Sequence, residues 1–305
     1  MKYFLSLVLI FYYVSAISQE VPYTPVQFGQ FFNTYSIINP ASCGFRDKLE
    51  LFSARQQHSG AWKHITTTFV SGSVRFNDKK PNKFQVAGFA FVTDNEGQYL
   101  KRSRAYFTYG WHTRLSKKLS LGAGASAGFF SYRVSSSNAS VSGSATNIDA
   151  SLGIWLYSTT YYIGVAGNQI PNSELTPLRE TTALIRHTNA MGGYTFTASE
   201  TFTITPQFII RYTEGLPLDI DLATTGTVNN IVVAGINYRY HKSVVPMVGF
   251  QDIKIGKGTG KIMFSYSVPA GKTAVNIRTY ELVLAYQVKP ARKTKEKTKV
   301  TFSHQ

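Results

Sequence analysis

The sequence predicts an all-β protein, a transmembrane antiparallel β-barrel of about 14 strands, and three observations carry that expectation. The stretch Lys118 to Val134 alternates strictly, with Leu119, Leu121, Ala123, Ala125, Ala127 and Phe129 on one parity and Ser120, Gly122, Gly124, Ser126 and Gly128 on the other. Side chains of an extended chain point to opposite faces in turn, so this is a strand with one apolar face and one nearly bare face. It is also far longer than the ~5–6 residues usual in soluble sheets. Second, only 16% of the 305 residues are charged, against about 25% in soluble domains. Third, beyond the first fourteen residues no apolar run approaches the ~20 residues of a spanning helix. Strands closed into a barrel are then the way to cross a bilayer with every backbone group paired.

Residues 1–18 read as a signal peptide: Lys2 is the basic start, Phe4 to Val14 the apolar core, and Ala16-Ile17-Ser18 the small-residue cleavage site before Gln19. Residues 19–45 have no sustained alternation, carry Pro22, Pro25 and Pro40, and hold the cluster Gln27-Phe28-Gly29-Gln30-Phe31-Phe32-Asn33. Proline removes backbone donors and is poorly tolerated inside sheets, so this is an irregular leader whose aromatic residues dock on something. Cys43, the one cysteine, lies far beyond the cleavage site and can form no internal disulfide.

The barrel is expected over residues 46–288, as strands at about 49–55, 66–75, 83–93, 102–112, 118–133, 148–157, 160–167, 187–197, 201–213, 217–224, 230–240, 244–253, 260–268 and 277–288. An even count puts both ends of the sheet on one side, periplasmic in exported barrels. The odd-numbered links, including 56–65, 94–101, 134–147 and 168–186, then face outward and are the longer ones, which makes His58, Trp62 and His64 candidates for an extracellular loop. The even-numbered links, such as 113–117 and 158–159, are mostly short. Residues 289–305 form a basic tail, six cations with Glu296, that extends into the periplasm. The net charge of +16 is the footprint of a nucleic-acid binder in other settings. In an exported barrel with its charges mostly in turns it fits anionic lipid head groups or an acidic partner instead.

Signals for chemistry are sparse. The six histidines are scattered, none has metal-ligand spacing, and nothing brings a Ser, a His and a polar orienter together as a barrel hydrolase requires. No catalytic residue, metal or cofactor is expected. In Pro217-Leu218-Asp219-Ile220-Asp221-Leu222 the apolar residues form the lipid-facing set, so Asp219 and Asp221 point into the lumen about 7 Å apart. Charges in a restricted lumen need partners, and Arg211 on the adjacent strand is the candidate. The small inward residues leave volume in the lumen. Either the leader fills it, with Phe28, Gln30, Phe31, Phe32, Asn39 and Pro40 as candidate plug residues, or glycine simply eases strand curvature.

Several stretches together resemble the PorP/SprF family of outer-membrane proteins, associated with type IX secretion and gliding motility in Bacteroidetes-type bacteria. Gln27-Phe28-Gly29-Gln30-Phe31 with Ile38-Asn39-Pro40-Ala41 is similar to that family's opening signature, and Arg55-Gln56-Gln57 with Thr66 to Thr68 to its first hairpin. Leu119 to Tyr132, Ala150 to Asn172, Pro206 to Asp221 and Tyr280-Glu281-Leu282 resemble its later strands in order and spacing. The sequence departs from the pattern at His58 and Ser59, where a Trp is usual, and in the basic tail. The resemblance implies a non-enzymatic outer-membrane protein that receives or anchors secreted adhesins bearing a C-terminal sorting domain. Its implied partners are that cargo, other type IX secretion components and outer-membrane lipid, with no nucleic acid. A diffusion porin or small-solute transporter is the competing expectation, and it requires an open lumen.

Overall fold

The structure is a computed structural model and describes residues 27–77, 82–136, 142–178, 181–270 and 277–290. The expected signal peptide, residues 19–26 of the leader and residues 291–305 of the tail lie outside the described residues. Fourteen antiparallel strands close into a barrel. They are β1 (Leu49–His58), β2 (Ile65–Phe76), β3 (Lys83–Glu96), β4 (Leu100–Arg114), β5 (Ser120–Val134), β6 (Gly143–Tyr157), β7 (Tyr161–Asn168), β8 (His187–Tyr194), β9 (Phe202–Thr213), β10 (Asp219–Val228), β11 (Val232–Arg239), β12 (Ser243–Ile255), β13 (Gly258–Pro269) and β14 (Thr279–Val288). Each pairs with its sequence neighbour, and β14 closes on β1 from Leu49↔Val288 to His58↔Thr279. Closure leaves no unpaired edge, which a bilayer does not tolerate.

Alternation decides which face each residue takes. Phe129 and Phe130 are adjacent on β5, yet the first is 60% exposed to the surroundings and the second 1%. Phe107, Leu152, Ile154, Ile163, Val165, Leu222, Phe264 and Leu284 continue the outer apolar wall. The opposite parity turns inward and mixes small and polar residues, as at Gly122, Gly124, Ser151, Gln207 and Asn237, with buried apolar ones such as Phe69, Trp155 and Met263.

Several strands run further than the alternation alone suggests. The links expected at 56–65 and 94–101 shrink to 59–64 and 97–99, because the β2–β3 and β3–β4 ladders extend to Ile65↔Glu96 and Glu96↔Leu100. Gly97, at φ +70°, makes so short a turn possible. The link expected at 168–186 is not plain loop. It holds a small hairpin, Glu174–Leu175 paired with Thr182–Ala183, and Leu175 and Leu184 bury themselves with Phe130. On the opposite rim the links are short, down to two residues between β12 and β13, and Asn229 and Asn230 turn the β10–β11 hairpin with φ of 51° and 60°.

The lipid wall can be tested at Ala127, midway along β5 and outward-facing. Ala127→Arg should lower the unfolding free energy in lipid vesicles by about 2–4 kcal/mol. Ser126→Arg, one residue earlier and facing the lumen, should lower it far less. Equal losses would contradict the assigned faces.

Candidate functional site: a leader threaded through the lumen

Residues 27–47 cross the inside of the barrel from one rim to the other before entering β1. The path begins beside the β9–β10 turn, where the Gln27 amide donates to Asp219 and accepts from Arg239 and, at 3.4 Å, from Lys242. It ends at the short-turn rim, where Arg75 Nε donates to the Gly44 carbonyl at 2.6 Å. Three single turns shape it: Phe31–Asn33, Tyr35–Ile38 and Pro40–Ser42. None is long enough to satisfy its own backbone.

Side chains of the wall satisfy it instead. The Glu281 carboxylate accepts two successive backbone N–H groups, from Gly29 at 2.8 Å and Gln30 at 3.0 Å. Asn237 donates to the Gly29 carbonyl, Gln56 to that of Gln27 and Asn168 to that of Ile38. His112 Nε2 lies 3.0 Å from the Cys43 carbonyl and can only donate there, which leaves Nδ1 to accept from the Tyr157 hydroxyl at 3.2 Å. The debt is also repaid in reverse: Asn39 Nδ2 donates to the carbonyls of Ile154 and Val165, residues of β6 and β7 that face each other.

Asn39-Pro40-Ala41 fits only because the wall beneath it is bare. A Cβ on Gly124 would stand 2.5 Å from the Ala41 nitrogen, one on Gly153 2.0 Å from Asn39 Oδ1, and one on Gly122 2.9 Å from the Ala41 carbonyl oxygen. Real side chains do not approach that closely, so any larger residue there must push the turn away. Asn39 also caps the turn, its Oδ1 accepting from the Ala41 N–H at 2.9 Å. Around this seat Tyr35 packs edge-on to Tyr162 and Phe45, and Trp155 stacks on Tyr162 at 4.9 Å. The Tyr35 hydroxyl bonds to the Tyr162 hydroxyl at 2.6 Å and to Gln207 at 2.9 Å. Cys43, whose carbonyl meets His112, is buried as well.

The residues singled out in the sequence fall as follows. Phe28, Gln30, Phe31, Phe32, Asn39 and Pro40 are all buried inside the barrel; Phe28 meets Phe69, and Gln30 donates to Ser265. Arg211 bridges Asp219 at 3.4 Å and Asp221 at 3.2 Å. Arg239, 3.6 Å from Asp221, and Lys242, 2.9 Å from Asp219, complete the cluster and were not foreseen. His58, Trp62 and His64 do not act together. His58 faces inward and bonds Thr279 at 2.8 Å, while Trp62 and His64 are exposed. The roles of Glu281, His112, Asn237 and Asn168 carry no local motif; their one sequence signal is a polar residue at an inward strand position.

Above the leader, at the long-connection rim, lies a cavity of about 680 Å³. Its floor is Phe28, Ile37 and Ile38, and its walls include Arg104, Asp149, Asn189, Arg211, Asp219 and Arg239.

The family model for the type IX secretion system membrane protein PorP/SprF matches residues 21–286. The chain belongs to the PorP/SprF family. No curated protein sequence matches it. Among solved structures, this PorP/SprF chain is similar to the CymD monoaromatic hydrocarbon channel, at 11% identity over 90% of this chain and 97% of that one, with a TM-score of 0.56. It is also similar to the Pseudomonas putida toluene transporter TodX, at 10% identity over 83% and 93%, with a TM-score of 0.53. At such identities the likeness is one of fold: an outer-membrane barrel.

The seat is testable through the native cysteine. Cys43 should resist maleimide in the folded wild-type protein, since its thiol is buried under the leader and wall. Gly124→Leu or Gly153→Val should dislodge the Asn39–Ala41 turn and make Cys43 label at least tenfold faster in a barrel that still migrates as folded. Unchanged labelling in both variants would contradict the seat.

Proposed function

We propose that this PorP/SprF barrel is a non-enzymatic component of type IX secretion and gliding machinery, delivered by a cleaved signal peptide, whose lumen is held shut by the leader. In this reading it receives or anchors secreted adhesins with a C-terminal sorting domain at the cell surface. The observation that carries the reading is the threaded leader. A diffusion pore needs an open lumen, whereas here a continuous segment crosses it on bonds from the surrounding wall. Such a closed barrel presents a rigid rim on which loops or sheet edges can capture an exported protein. The basic tail, expected in the periplasm, suits an acidic neighbour in the same machinery.

A second reading, passage of a small solute, is favoured by the cavity above the leader and by the barrel type, which hydrocarbon channels share. The two separate in a planar bilayer. Purified full-length protein should show no steady open-channel conductance, and deletion of residues 19–45 should produce one. Large, steady conductance from the intact chain would favour the solute pathway. In cells, removing the protein should abolish surface display of the adhesin, with display restored by the wild-type chain; normal display without it would overturn the secretion role.

A further inference from the structure

We infer that the cavity above the leader is a receptor for the free C-terminal end of an extended polypeptide, an assignment that rests on the cargo-receiving role proposed above. Three groups of residues converge on it. At its mouth, among the described residues, Arg211, Arg239 and Lys242 face two carboxylates, Asp219 and Asp221. The excess positive charge is directed at a neutral oxygen: Gln27 Oε1 accepts from both Arg239 and Lys242. Two cations on one amide oxygen is the arrangement a carboxylate oxygen would fill better, so Gln27 Oε1 marks the place of a ligand oxygen, while Gln27 Nε2 faces Asp219.

Deeper in, Asp149, Asn189 and Gln169 line the cavity and are each at least 96% buried. Among the described residues, Asn189 Oδ1 and both amide atoms of Gln169 have no hydrogen-bond partner. Buried polar groups left this way cost stability until a partner arrives, a donor for the oxygens and an acceptor for Gln169 Nε2. A hydrocarbon tail has none to give, whereas a peptide backbone brings N–H and C=O groups at regular spacing. The floor of Phe28, Ile37 and Ile38, with Leu216 and Leu218 beside it, suits apolar side chains. The volume lies within the usual ~300–1,000 Å³ of small-ligand sites, enough for a chain end and not for a folded domain.

The test uses the purified full-length barrel in detergent and a fluorescein-labelled hexapeptide ending Ala-Val-Leu, as the free acid and as the C-terminal amide. The free acid should bind at least about tenfold more tightly than the amide, and Arg239→Gln with Lys242→Gln should remove that preference. Gln27→Ala, which vacates the oxygen's place, should tighten binding of the acid. Heat-modifiable migration checks that each variant is folded. Equal binding of acid and amide, no effect of the paired charge variant, or binding that appears only after residues 19–26 are deleted would overturn the assignment, the last by showing that the chain's own leader is the occupant. Because the assay contains no cargo, its failure strikes the site alone, whereas normal adhesin display without the protein strikes the secretion role.

Discussion

A fourteen-stranded barrel with glycine and serine among its inward side chains cannot fill its own interior, and whatever fills it must have its backbone hydrogen-bonded there. That constraint governs the molecule. Residues 27–47 fill the space without forming a strand, and the wall supplies through side chains what a neighbouring strand would supply through its backbone. Glu281, Asn237, Asn168, His112, Gln56 and Arg75 each meet a specific N–H or C=O of the leader. Their inward polar side chains would be a burden in an empty apolar lumen; with the leader in place they are partners.

The bare face of β5 belongs to the same solution. Gly122 and Gly124, with Gly153 on β6, admit the Asn39–Ala41 turn to within contact of the strand backbone, close enough for Asn39 to reach carbonyls of β6 and β7. Packing and hydrogen bonding are therefore coupled: a methyl group added at Gly153 would meet the very oxygen that caps the turn. The aromatic layer of Tyr35, Phe45, Trp155 and Tyr162 then closes over it.

Much of this was legible before any coordinates. Period-two alternation located all fourteen strands and gave the faces of β5 and β10, because a lipid wall tolerates few exceptions. The inward direction of Asp219 and Asp221 followed from Leu218 and Leu222 beside them. Strand ends were harder, since near the rims both faces become polar and the pattern fades; the ladders through Glu96 and Leu100 continue past that point. The leader's hydrogen-bond partners were not legible at all. Glu281 lies some 250 residues from Gly29, and nothing local marks one inward glutamate as the acceptor of two distant amides. The family resemblance supplied the fold's expected role in secretion but no pairing of that kind.

In functional terms, the leader separates two faces of one barrel: a short-turn rim, from which the basic tail departs, and a long-connection rim with its charged cavity. In the proposed role, a barrel closed by its leader acts at both faces without leaking, provided the leader is held as durably as the wall. Hydrogen–deuterium exchange of the purified protein tests that most directly. Backbone amides of residues 28–45 should exchange as slowly as those of β5 and β6; complete exchange of that segment within seconds, while the strands stay protected, would contradict it.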